Sequence, residues 1–171
     1  MKLFSPRLNY LYAFLCVVIM FLVAYYLQHW KGIIPCPLCL LQRVTAGILG
    51  GFFFLGATLN LKKAGLWIVG FFSFIFSVLG ALLAGRQIWL QHLPPSHNAD
   101  CGASLEYMLN VLPLDQVLQK VLEGTTDCSR MEWSWLGMSL AEWSFVWFVI
   151  FAGFSIWQSL RRGPYDAKKL F

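Results

Sequence analysis

Four stretches of this chain are apolar almost without interruption, and the polar residues are confined to what lies between them. The runs Leu11–Leu27, Val44–Leu61, Leu66–Ala84 and Trp143–Leu160 each approach the length that a helix needs to cross about 30 Å of hydrocarbon. The first begins after a short basic segment, as a signal peptide would. Bulky Tyr25, Tyr26 and Leu27 stand where a cleavage site needs small residues, so it is read as a retained helix. Residues 28–43 form a loop, and Asn60, Lys62, Lys63 and Gly65 make a very short turn. Residues 85–142 form the long loop, and Gln91–Trp135 is the one long polar stretch. Within it, Pro94-Pro95 breaks the preceding helix, and two apolar stripes follow at helical spacing. The first is Leu105, Met108, Leu109 and Leu112; the second is Leu114, Val117, Leu118, Val121 and Leu122. With Asp115, Lys120 and Glu123 off the second stripe and Gly124 as its C-cap, this segment reads as a short amphipathic helix. Two placements fit it equally: flat on the bilayer, or packed on the top of the bundle.

Further local patterns sharpen the outline. Gly47, Gly50, Gly51 and Gly56 recur in the second run, and small residues let membrane helices approach closely. Ser139 and Glu142, just before the last run, form a capping-box pattern, with Met138 and Trp143 placed as a hydrophobic staple. Trp133, Trp135 and Trp143 suit an interfacial aromatic belt. The predicted fold class is an all-α membrane protein: a four-transmembrane-helix bundle in one domain, 1–171, with a long loop carrying a short amphipathic helix.

Composition agrees with this class. Of 171 residues, 58% are hydrophobic, and the mean hydropathy of +0.64 is far from a soluble domain's. The formal charge is +5, but the basic residues flank apolar runs instead of gathering on one soluble face, which argues against a nucleic-acid partner. Their distribution sets an orientation. Lys2, Arg7, Lys62, Lys63, Arg161, Arg162, Lys168 and Lys169 fall on one side, which the positive-inside rule makes cytoplasmic. Both termini are then inside. Of five cysteines, Cys16 lies inside the first run and reads as a small buried hydrophobe. Cys36, Cys39, Cys101 and Cys128 all fall outside, where an even set of cysteines suits an oxidising compartment.

The chemistry concentrates in Pro35-Cys36-Pro37-Leu38-Cys39-Leu40-Leu41-Gln42-Arg43. A Cys-x-x-Cys pair serves as a redox disulfide, as half of a zinc site or as a staple. Pro37 suits the first helical turn, which puts Cys36 near the N-cap and Cys39 beside unpaired backbone N–H groups. Arg43, four residues on, shares the Cys39 face. A helix N-terminus and a guanidinium both favour thiolate over thiol, so the local physics favours redox work. A four-cysteine zinc site would require paired ligand spacing, which Cys101 and Cys128 lack. No metal is expected. Haem is disfavoured because Leu40, not histidine, follows Cys39. The tight pair at the bundle mouth and the loop pair suggest a relay, by thiolate–disulfide exchange, from a soluble dithiol to an acceptor dissolved in lipid, for which a quinone fits.

These residues carry a resemblance. Pro35–Arg43 resembles the signature of the DsbB family, disulfide bond formation protein B. Gly85–Pro95, Cys101-Gly102, Asp127-Cys128 and Trp135–Ser139 match its other characteristic stretches, in order, over nearly the whole chain. The resemblance implies a thiol:quinone oxidoreductase of the bacterial inner membrane with its redox cysteines periplasmic. It would reoxidise a DsbA-type thioredoxin-like oxidase and pass electrons to ubiquinone or menaquinone. Carried over by motif, Cys101 forms the mixed disulfide with the partner, Cys128 exchanges with Cys36, and Cys39 faces the quinone, with Arg43 polarising the quinone and stabilising the thiolate. Gln87 stands where some members carry a histidine assigned to the quinone site. Arg86 fits an interface anchor or a second quinone contact, with the anchor slightly preferred. The vitamin K epoxide reductase type is a neighbouring enzyme class, but there the shuttle cysteines precede the Cys-x-x-Cys, whereas here they follow it.

Overall fold

The computed structural model describes residues 6–32, 36–59, 63–92, 110–111, 113, 115–117, 121 and 134–160. Cys101, Cys128, the first amphipathic stripe and the basic tail lie outside these residues. Four long helices dominate: α1 (Pro6–Trp30), α2 (Pro37–Thr58), α3 (Lys63–His92) and α4 (Leu140–Leu160). All four are long and apolar enough to cross a membrane.

The helices do not stop where the apolar runs stop. Helix α2 begins at Pro37 rather than Val44, because proline at the first helical position already has the required φ and lacks only an N–H that would be unpaired there anyway. It ends at Thr58, short of Leu61, where the Leu59 N–H closes the last turn on the Leu55 carbonyl. Helix α3 continues past Ala84 to His92. Arg86, Gln87 and Gln91 are adequate helix formers, and the stop comes only near Pro94-Pro95. Gln87, expected in the loop, therefore sits inside α3, and so do Arg86 and His92.

Consecutive helices pack antiparallel, and individual contacts fix the register. Tyr10 at the start of α1 lies against Gly56 at the end of α2; further along, Val17 meets Gly50, where an added Cβ would come within 3.0 Å of Val17 Cγ1. At the other end of that pair, Arg43 bonds Gln28. Helices α2 and α3 meet through Phe52, stacked on Phe72 with ring centroids 5.6 Å apart, and through Gln42 and Gln87. Helices α3 and α4 meet where Gly80 leaves room for the Phe148 ring, and Ser139, the residue that caps α4, bonds Gln91 of α3. Of the glycines expected to pack closely in α2, Gly50 and Gly56 do so, Gly47 makes only an ordinary contact with Phe21, and Gly51 has nothing among the described residues within 4 Å of an added Cβ.

The buried core between the helices is aromatic. Phe53 touches Phe151 and Phe154 with centroids 5.5 and 5.7 Å apart, and Tyr10 meets Phe154 edge-on. Large apolar residues such as Ile19, Leu22, Val44 and Leu82 are exposed and form a lipid-facing exterior. Hydroxyls inside the helices return their hydrogen bonds to the preceding turn: Ser77 to the Ser73 carbonyl and Ser155 to that of Phe151. This local partner is the economical one where no water is present.

Before α4 comes a small hairpin, β1 (Ser134–Trp135) and β2 (Met138–Ser139), paired antiparallel. Its two turn residues, Leu136 and Gly137, have φ of 56° and 78°, the signature of a type I′ turn. The capping box forms as the sequence predicts. Glu142 N–H donates to Ser139 Oγ at 3.3 Å, and Ser139 N–H donates to Glu142 Oε2 at 2.6 Å. Of the second amphipathic stripe, Val117 and Val121 are described and buried, packed with Cys36, Leu38 and Leu90. For these two residues the bundle-top placement holds.

Candidate active site

The end of α1, the start of α2, the end of α3 and the start of α4 converge at one end of the bundle, and the cysteine pair lies there. Cys36 is the N-cap of α2, in extended conformation, and its Sγ accepts the Cys39 N–H at 3.4 Å. A sulfur thus takes the place that serine or aspartate occupies at most helix starts. The i, i+3 spacing turns both side chains to one side, leaving the two sulfurs 3.0 Å apart and not bonded to each other. Their surroundings differ. Cys36 is only 5% exposed, beneath Val117 and Val121, whereas Cys39 is half-buried.

Next to Cys39 is a pair of buried amides. Gln87 of α3 places Nε2 at 3.2 Å and Oε1 at 3.5 Å from Cys39 Sγ. Gln42 of α2, one turn beyond Cys39, donates from Nε2 to the same Gln87 Oε1 at 2.8 Å. Both glutamines are about 5–6% exposed. Burying two primary amides is costly unless they are paired, and this pairing links α2 to α3 beside the Cys39 sulfur. A dithiol with one deep sulfur and one accessible sulfur, the latter next to an amide N–H, has the parts for thiol–disulfide exchange and for two-electron transfer to a small oxidant.

The sequence-derived site residues fall as follows. Cys36, Cys39 and Gln87 come together. Arg43 lies on α2 within the same end of the bundle, but its Nη1 donates to Gln28 Oε1 of α1 at 2.6 Å, which fixes the guanidinium on the α1 side. Cys101 and Cys128 lie outside the described residues. Sequence reasoning missed Gln42 and Gln28. Gln42 was detectable, since a residue three after Cys39 in a helix shares its face. Gln28 sits in the last turns of α1, and no local signal marks it as the partner of Arg43.

Similarity to known proteins gives the family. The family model described as disulfide bond formation protein DsbB matches residues 6–158. The chain is 38% identical over 162 residues to a disulfide bond formation protein B of Stutzerimonas stutzeri, covering 95% of this chain and 99% of the relative. It is 40% identical to the disulfide bond formation protein B of Hahella chejuensis, covering 90% of this chain and 92% of that one. It is also 40% identical to disulfide bond formation protein B 1 of Pseudomonas aeruginosa, again covering 95% and 99%. A four-helix membrane bundle, a Cys-x-x-Cys at its mouth and similarity along nearly the full length together place the chain in the DsbB family of disulfide bond formation proteins.

Proposed function

We propose that this protein is a thiol:quinone oxidoreductase of the bacterial inner membrane, with both termini cytoplasmic and its redox cysteines periplasmic. It reoxidises a DsbA-type thioredoxin-like oxidase and delivers the electrons to a membrane quinone, ubiquinone or menaquinone. The observation that carries the reading is the asymmetry of the Cys36–Cys39 pair, one sulfur deep and the other half-buried beside a polar amide. The half-buried sulfur meets the acceptor, and the deeper one, packed with Val117 and Val121 from the segment between Cys101 and Cys128, takes the exchange from that loop.

The electron count closes. A partner dithiol reduces a Cys101–Cys128 disulfide through a mixed disulfide on Cys101, and the partner leaves oxidised. The loop dithiol then reduces a Cys36–Cys39 disulfide by exchange between Cys128 and Cys36. The resulting Cys36–Cys39 dithiol gives two electrons to the quinone as its disulfide re-forms, and two protons end on the quinol oxygens. Arg43 and the Gln87 N–H supply positive charge and a donor near the developing negative charge. The decisive experiment substitutes Cys39→Ser. Quinone reduction, followed by absorbance, should stop, while Cys101 still forms a mixed disulfide with the partner on a non-reducing gel. Quinone turnover at the wild-type rate in that variant would overturn the relay. Orientation is tested by adding a membrane-impermeant thiol reagent to reduced, intact cells. Cys101 and Cys128 should be modified without opening the inner membrane.

A further inference from the structure

We infer that Gln42 is a positioning residue for the Cys39 thiolate: by engaging the Gln87 amide oxygen, it turns the Gln87 N–H towards the sulfur. This rests on the thiol:quinone reading for its purpose, but its geometry stands apart from it. A primary amide has a donor end and an acceptor end of nearly the same shape. Swung half a turn, Gln87 would offer its oxygen to Cys39, an arrangement that suits a thiol and repels a thiolate. What distinguishes the two ends is the partner on the far side. Gln42 Nε2 donates to Gln87 Oε1 at 2.8 Å, which leaves Gln87 Nε2 at 3.2 Å from Cys39 Sγ, nearer than Oε1 at 3.5 Å. If Gln87 turned alone, two amino groups would face each other in a buried site. An N–H aimed at the sulfur stabilises its ionised form.

Other described residues also surround Cys39. On its own helix the titratable or charged groups are Cys36, 3.0 Å away, and Arg43, bonded to Gln28. From α3 and from residues 117 and 121, Leu83, Leu90, Val117 and Val121 pack on this cluster and do not ionise. Arg86 and Asp115 are the charged sequence neighbours on those two segments.

The test is the pH dependence of Cys39 alkylation by iodoacetamide in the purified full chain. Cys36→Ser, Cys16→Ala, Cys101→Ala and Cys128→Ala are introduced so that only one thiol reacts. Gln42→Met should raise the midpoint by about one pH unit, and Gln87→Met should do the same. Combining them should shift it no further, because the first residue acts through the second. Gln42→Glu keeps the shape, so it tests the idea even if the methionine variant folds poorly. An acceptor at this position draws the Gln87 N–H away from sulfur, so its upward shift should be larger than that of Gln42→Met and should shrink once Gln87→Met is added. An unmoved midpoint in Gln42→Met, simple addition of the two methionine shifts, or a Gln42→Glu shift indifferent to Gln87 would each overturn the relay. The assay contains neither quinone nor partner. Failure of the thiol:quinone reading therefore leaves the midpoints intact, and an unmoved midpoint in a quinone-active protein defeats the relay alone.

Discussion

At the end far from the cysteines, α1, α2 and α4 are locked by rings and glycines: Tyr10 against Gly56 and Phe154, and Phe53 against Phe151. At the cysteine end side-chain hydrogen bonds join α2 to α1 and to α3, and α3 to the hairpin before α4: Arg43 to Gln28, Gln42 to Gln87, and Ser139 to Gln91. The two ends solve different problems. In lipid, apolar side chains gain little by leaving the solvent, so association relies on close shape fit. The aromatic end provides that fit and sets the register. Hydrogen bonds add direction instead, and one of them, Gln42 to Gln87, lies beside the Cys39 sulfur. The aromatic end thus serves as scaffold, and the polar end carries the cysteine pair.

Substitutions at the two ends should therefore separate turnover from stability. The largest effect is expected from Arg43→Ala. Loss of one preorganised charge contact in a transition state costs on the order of 3 kcal/mol, roughly a hundredfold in rate. Quinone kcat/KM should fall on that scale while partner exchange continues, and unchanged quinone kinetics would remove Arg43 from the site. Next comes Gly80→Leu, which drives a side chain into Phe148. Overpacking of this kind costs about 1–3 kcal/mol, so thermal unfolding in detergent should move down while the turnover of the folded fraction holds. A drop in turnover matching that of Arg43→Ala would erase the distinction between the ends. Ser139→Ala removes a helix cap and the bond to Gln91, and should cost about 1 kcal/mol of stability. The smallest effect is expected from Tyr10→Phe. The Tyr10 hydroxyl is buried and has no hydrogen-bond partner among the described residues, so deleting it should leave stability unchanged or raise it by up to about 1 kcal/mol. A clear loss would reveal a partner for that hydroxyl.

The scaffold was largely legible in the sequence. Four apolar runs, proline after Cys36 and the Ser139–Glu142 spacing are local signals, and local signals predict local structure. Helix ends were less legible. The end of an apolar run marks where lipid stops, whereas a helix stops at a breaker or cap, so α3 reached His92 and carried Gln87 with it. The hairpin before α4 was missed because its turn uses Leu136 at positive φ, where asparagine or aspartate would have announced it. The Arg43–Gln28 and Gln42–Gln87 bonds join residues on different helices, and no spacing rule within one segment reaches across that gap.

Most helix caps are chemically permanent. The cap of α2 need not be, because its acceptor is Cys36 Sγ, an atom that can change oxidation state. That sulfur accepts the Cys39 N–H and stands 3.0 Å from Cys39 Sγ. A disulfide between the two would tie the capping atom covalently to the residue whose N–H it caps. The start of α2 and the state of the pair are therefore one unit, and a change at the sulfurs is felt by the backbone that begins the helix.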